Sequence, residues 1–181
     1  MSERQHGGAN DGIQLSLILR DGRTVFVRTI RDEDKDMLDD AFERLCKEAR
    51  YSRFFTAVRA VPDEILHPAA PSPQGYVVAL VALSGRDADQ VMIGGARYVT
   101  DPSGETGEFA VTVADDWRGL GLARQLMETL IGIARERHLR RMEGCVLSTN
   151  TGMRRLATRL GFKDAPYPDE YALRLVSLDL S

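Results

Sequence analysis

The period of the apolar residues changes once, and abruptly, in EFAVTVADDWRGLGLARQLMETLIGIARE, residues 108–136. Before the glycines, Phe109, Val111 and Val113 alternate with Ala110 and Thr112, as in a strand with one covered face. After them, Ala123, Leu126, Leu130, Ile133 and Ala134 recur at helical spacing, with Arg124, Gln125, Glu128, Arg135 and Glu136 on the other side. A strand that runs into a long amphipathic helix through Arg118-Gly119-Leu120-Gly121-Leu122-Ala123 commits this half of the chain to a layered α/β arrangement.

The flanking sequence supplies the other layers. LSLILRDGRTVFVRTI alternates on both sides of Asp21-Gly22, as a hairpin does. Asp32 is placed to cap a helix with the apolar stripe Met37, Leu38, Ala41, Phe42 and Leu45. Glu33 and Asp34 then fall in its first turn, where the acidic cluster reads as capping plus a solvated face. Residues 50–60 read as a second short helical piece, followed by a proline-rich loop over 62–73. YVVALVAL and VMIGGARYV are strand-length apolar runs, and with EFAVTVA they form a three-strand meander. A strand in RMEGCVLS follows the long helix; then come a helix with Met153, Leu156, Ala157 and Leu160 on one face, a stop at Gly161, and a last strand around Tyr171 to Leu178. The class is mixed α/β with much antiparallel sheet.

A length of 181 residues suits one domain, expected over 13–181 behind a disordered tail at 1–12. Lys+Arg of 24 against Asp+Glu of 27 gives a net charge of -3, which argues against an extended nucleic-acid surface. Met1 precedes a polar run, and no apolar stretch reaches membrane-spanning length, so neither targeting nor a membrane partner is expected. Cys46 and Cys145 form no spaced framework, which suits a reducing cytoplasm, and three scattered histidines argue against a metal site.

The glycine turn lacks the Gly-x-x-x-x-Gly-Lys-Ser/Thr of a phosphate-binding P-loop. A dinucleotide fingerprint fails as well, because Arg124 occupies the third glycine's place and an antiparallel meander precedes the turn. Two readings stay open. Successive backbone N–H groups and the helix dipole can converge on an anion, or the glycines merely ease the turn from strand to helix.

Arg118-x-x-Gly121-x-Ala123, following the Val111-x-Val113 strand, resembles the acyl-CoA pyrophosphate loop of the GNAT superfamily of N-acetyltransferases. Asn150-Thr-Gly-Met-Arg-Arg-Leu156-Ala-Thr-Arg-Leu-Gly161-Phe162 is similar to that superfamily's second CoA-contacting helix and its Gly-Phe ending. The likeness covers roughly residues 23–178, and the two motifs together are far more specific than either alone. TIRDEDKDML, ARYSRFF, GEFAVTVADDWRGLGLA and RLATRLGF most resemble the bacterial protein-lysine acetyltransferase domains related to Pat. Those domains are often fused to a cyclic-nucleotide-binding or an acyl-CoA-synthetase-like domain; neither fits in this length, so such regulation is not expected.

The resemblance implies a GNAT fold: a mixed, mostly antiparallel sheet with a parallel, splayed central strand pair, flanked by helices. It implies acetyl-CoA as co-substrate, no metal, and an amine acceptor, with a protein lysine ahead of a small-molecule amine. A non-catalytic acyl-CoA-binding module is the alternative of another class. A homodimer is left open. Val111, Thr112 and Val113 would pair with the pantetheine arm, and a bulge near them would part their strand from the one containing Cys145. The N–H groups of Gly119, Leu120, Gly121, Leu122, Ala123 and Arg124 would hold the pyrophosphate, with Arg118 at the entry. Asn150 would contact the cofactor, although it is equally placed to cap the Thr151 helix. Many GNAT enzymes carry a tyrosine acid where this chain has Ala157, so water is expected to protonate the leaving thiolate.

The chemistry needs a base. An alkyl amine of pKa about 10.4 is neutral in only about one molecule in several thousand at neutral pH, and only the neutral amine attacks a thioester. The resemblance puts the carboxylate base at Glu108, which also reads as a residue ending the Gly104–Gly107 turn. Glu105, Glu143, His138, Tyr98 and Asp116 are weaker candidates, with Glu143 next in line on the neighbouring strand.

Overall fold

Gly22, at a φ of 85°, turns β1 (Gln14–Ile18) back onto β2 (Thr24–Thr29), and the expected hairpin stands in register from Gln14↔Arg28 to Ile18↔Thr24. A computed structural model describes residues 12–44, 77–86 and 89–181. After the hairpin come α1 (Lys35–Arg44), the meander β3 (Val77–Ser84), β4 (Val91–Thr100) and β5 (Thr106–Val113), and α2 (Leu122–Glu136). The chain continues through β6 (Arg141–Leu147), α3 (Thr151–Arg159), β7 (Lys163–Pro166) and β8 (Leu173–Asp179). The strands form one sheet in the order β1-β2-β3-β4-β5-β6-β8-β7. Every neighbouring pair is antiparallel except β5–β6, which is parallel because α2 carries the chain across between them. Among the described residues no helix is long and apolar enough to cross a membrane.

Alternation along β3 sorts the sheet into two covered faces. Val78, Leu80 and Ala82 point into the main core with Leu126, Met127, Leu130 and Ala134 of α2 and Ala157 of α3. Ala79, Val81 and Leu83 point the other way, against Met37, Leu38 and Ala41 of α1. Met37, Leu38 and Ala41 of the sequence stripe thus form the face of α1 that packs on the sheet. The side chain of Phe42, Leu45, Cys46, the helical piece at 50–60, the loop at 62–73 and all but the end of the expected tail lie outside the described residues.

Three expectations need correction. β7 was unmarked in the sequence, because Lys163-Asp-Ala-Pro is a short edge strand with little apolar character. The last strand starts at Leu173, and Tyr171 stands fully exposed in the turn before it. The α1 entrance is also built differently. Asp32 does not cap it; a short 3-10 turn over Asp32–Asp34 is capped from Arg31, whose backbone N–H donates to Asp34 Oδ2 at 2.8 Å.

Asp34 is accordingly not on a solvated face. It is 2% exposed, and Arg28 grips it with two guanidinium hydrogen bonds of 2.7 and 2.6 Å, tying β2 to the start of α1. Burial alone would raise its pKa, but the Arg28 fork and the Arg31 N–H outweigh that and hold the carboxyl below the ordinary aspartate range. Removing one partner strands the other, so Asp34→Ala should lower the unfolding free energy by about 3 kcal/mol in urea denaturation at neutral pH. Because the native pKa is depressed, the contribution is complete above the unfolded-state value of about 3.9 and fades as pH falls through the native one. The two proteins' stabilities should therefore converge in acid.

Candidate active site

β5 and β6 keep their parallel pairing for only three registered pairs, Thr106↔Arg141, Gly107↔Met142 and Glu108↔Glu143. Beyond Glu108 they part, while β5 stays in unbroken register with β4 as far as Val113↔Gly94. The next pair would be Phe109 with Gly144. A Cβ built on Gly144 would lie 2.9 Å from the Phe109 ring, so the ring occupies the space that a side chain there would need. Phe162 backs it edge-on at 5.2 Å. The bulge expected near Val111–Val113 is not there: β5 keeps its register with β4, and the slip that the ladders do show lies between β3 and β4, at Ala82/Leu83, where it does not part β5 from β6.

The gap opens into a groove of about 1280 Å³ lined by Glu108, Val111, Thr112, Val113, Arg118, Gly119, Gly121, Leu122, Ala123, Arg124 and Asn150. Of the expected cofactor-binding residues only Leu120 is not on that wall: it packs toward the main core, and its carbonyl accepts the Arg20 N–H at 3.1 Å. Gly119 and Gly121 both have positive φ, 75° and 94°, so the turn requires glycine for its shape. That does not compete with anion binding, because the same turn leaves the first N–H groups of α2 without helical acceptors at the groove. Gln125 N–H is the first that bonds back, to the Gly121 carbonyl. Arg118 pairs with Asp115 at 2.7 Å and Arg124 with Glu128 at 2.8 Å, both pairs exposed. Asn150 caps α3 by accepting from Met153 N–H at 3.1 Å while it lines the groove, so its two readings coexist.

Arg20 escaped the sequence reading. It sits in the β1–β2 turn, a hundred residues from the glycines, and the turn is brought over them by the Arg20–Leu120 backbone bond, the Gln125 amide on the Ile18 carbonyl and Arg23 over the Trp117 ring. Its side chain lies within 4 Å of the position a Gly121 Cβ would take, and it lines the groove. Nothing local in the sequence marks it.

Of the candidate bases, Glu108 and Glu143 alone line the groove. Tyr98 is fully buried in the main core, and Glu105 pairs with Arg140 on the surface. Asp116 is exposed in a 3-10 turn, and His138 takes a φ of 60° beyond the end of α2. The Glu108 side chain makes no hydrogen bond or ion pair with a described residue, and it stands exposed. Burial and the two neighbouring carboxylates push the Cys145 thiol up, so it is protonated at neutral pH and a poor nucleophile. Ala157 faces the core, completely buried, and is not part of the groove wall.

Comparison with known proteins agrees with this geometry. Residues 36–162 match the model of the acetyltransferase (GNAT) family. The acetyltransferase PA5475 of Pseudomonas aeruginosa is 34% identical over 152 residues, 84% of this chain and 82% of that protein. The crystal structure of the GNAT domain of S. lividans PAT superposes with a TM-score of 0.77 at 27% identity, covering 92% of this chain and 96% of that one. The Salmonella typhimurium protein yncA, with its cofactor acetyl-CoA, has the same fold at a TM-score of 0.64 and 22% identity, over 87% of this chain and 94% of its own. A cAMP-binding acyltransferase from Mycobacterium smegmatis aligns at 0.63 and 23% identity over 94% of this chain, which spans only 48% of that protein.

The Phe109 ring against Gly144 makes the parting of the strands testable. Gly144→Ala puts a methyl group where the ring lies, and overpacking of this kind typically costs about 1–3 kcal/mol. The expected outcome is that loss in chemical denaturation, together with weaker acetyl-CoA binding as the ring is displaced toward the gap.

Proposed function

The chain belongs to the acetyltransferase (GNAT) family, and from that premise we propose that it transfers an acetyl group from acetyl-CoA to a primary amine, with Glu108 as the general base. The observation that carries this reading is the groove itself, which runs from an unsatisfied helix N-terminus to a carboxylate at the point where two parallel strands part. The donor fits that shape. The N–H groups at the start of α2 would receive the pyrophosphate, with Arg118, Arg124 and Arg20 supplying positive charge around it. The edge of β5 from Val111 to Val113 would pair with the pantetheine amides, as an added strand does. The thioester would then lie near Cys145 and Glu108.

Bound acetyl-CoA supplies the acetyl group as a thioester. Glu108 takes a proton from the arriving ammonium and the freed amine attacks the thioester carbonyl; as the C–S bond breaks, the attacking nitrogen gives its second proton to water and the CoA thiolate takes one from water, since Ala157 offers no acid. A protonated Cys145 favours this direct attack over an acyl-cysteine route. A protein lysine is the acceptor favoured by the Pat-like sequence segments, and a small amine is the alternative. Folded protein substrates set against polyamines and amino acids separate the two.

Arg20→Ala should weaken acetyl-CoA binding about tenfold in calorimetric titration, since it removes one charge-assisted contact to phosphate and leaves the Leu120 backbone bond in place. Glu108→Gln should leave that affinity intact and lower kcat/KM by about a hundredfold to ten-thousandfold at neutral pH. Raising the pH deprotonates the free amine and replaces the missing base, so the variant should recover toward the acceptor's own pKa of about 10.4. Profiles that run parallel and within a few-fold of each other would remove Glu108 from the role.

A further inference from the structure

Glu108 does not stand alone in the groove. In a parallel pair, residues in register lie side by side on the same face of the sheet, and the last registered pair before β5 and β6 part is Glu108 with Glu143. Both line the groove, side by side at the branch point, with Arg97 of β4 on the same face, opposite Ala110. The two are held differently. Arg141, two residues earlier on the same face of β6, is ion-paired with Glu143, Nε to Oε2 at 3.2 Å, without the alignment of a hydrogen bond. Glu108 has no ion-pair partner among the described residues. One carboxylate has a guanidinium beside it and the other does not.

Two like charges side by side repel, and a carboxylate pair kept at an open, solvent-reachable point is relieved by a cation brought between its members. The field of both acids reaches the gap, because both raise the Cys145 thiol that faces it. We propose that Glu143, ion-paired with Arg141, is the acceptor-binding carboxylate: it receives the acceptor as an alkylammonium cation and presents that cation to Glu108. This rests on the transferase reading of the groove and adds to it a division of labour and a substrate class. Glu108 moves to the ammonium and takes its proton; Glu143 keeps its guanidinium partner and holds the incoming charge. The ion pair is the reason for assigning the roles this way round, since a carboxylate with a guanidinium beside it is the better positioned of the two to stay in place for an incoming cation, and the other is the one left to swing to the proton. Arg141 is then a positioning residue. Uncharged acceptors, such as aromatic amines at neutral pH, gain nothing from Glu143.

The test uses binding, so it does not depend on turnover. The CoA-loaded protein is titrated calorimetrically with Nα-acetyllysine amide, which carries the ammonium, and with its Nε-acetylated counterpart, which does not. In wild type the charged probe should bind more tightly than the neutral one. Glu143→Gln should weaken the charged probe about tenfold or more and leave the neutral probe and CoA itself unchanged. Glu143→Asp, which retains the charge on a shorter stem, should recover part of the loss, and Arg141→Met should lie between wild type and Glu143→Gln. Equal weakening of both probes would mean a structural role and overturn the proposal. So would unchanged binding of the charged probe, or its failure to bind wild type. If both probes behave as stated but no amine releases thiol from acetyl-CoA, the transferase reading fails while Glu143 keeps its cation.

Discussion

The contact on which the groove depends is an aromatic ring lying against a glycine. Parallel strands joined across a helix have every reason to pair along their whole length, because each unpaired buried amide costs free energy. Here the pairing ends after Glu108↔Glu143, and the next position holds the Phe109 ring against the bare Cα of Gly144, with Phe162 behind. The ring and glycine sit on the core face and the two glutamates on the other, by simple alternation along the strands. One wedge thus sets both where the strands part and which residues stand at the fork. Beyond it, the β5 edge from Val111 to Val113 faces β6 without a ladder, which is the condition under which an extended, amide-bearing ligand can take a strand's place.

A second constraint fixes what the turn beyond β5 can be. Gly119 and Gly121 sit at positive φ, a conformation costly to any residue with a Cβ, and between them Leu120 is anchored by its carbonyl to the Arg20 N–H and by its side chain to the main core. The loop is therefore held at both its middle and its helical end. On the reading proposed above, an anion arriving there would meet N–H groups that need no rearrangement, and a short peptide loop could hold a diphosphate without a dedicated cage of side chains.

What could be read from the sequence was whatever has a period or a local rule. The meander, the long α2 helix, the glycine turn and the α3 cap all announce themselves within a dozen residues of chain, and each stands where its pattern puts it. What was missed depends on partners distant in sequence or on weak patterns. Asp34 looked like one more acid in a solvated first turn, and only the pairing of β2 with α1 turns it inward onto Arg28. Arg20 has meaning only once the β1–β2 turn is seen lying on the glycines. β7, four residues ending in proline, has too little alternation to count as a strand until β8 pairs with it, and Asp164 within it gathers Arg154 and Arg174 at 2.8 and 2.6 Å to hold α3 to that hairpin. A bulge in β5 was expected from family resemblance and is absent; the strands part without one, at the Phe109–Gly144 contact, which no local residue pattern displays.

The charge along the groove is sorted in a way the net value of -3 conceals. Arg20, Arg118 and Arg124 gather where the helix N-terminus opens, whereas the glutamates of the groove wall, Glu108 and Glu143, stand at the fork, with Arg97 on the neighbouring strand. A groove built for a single ligand of one sign would gain from uniform charge. For the reaction proposed above, a groove that holds a polyphosphate at one end and a cation at the other gains from separating the two charges, because each end then repels the other's ligand. Arg141 adds an asymmetry at the fork: it is ion-paired with Glu143 and not with Glu108, and on the reading proposed above that difference would assign one carboxylate to receive a cation and the other to take its proton.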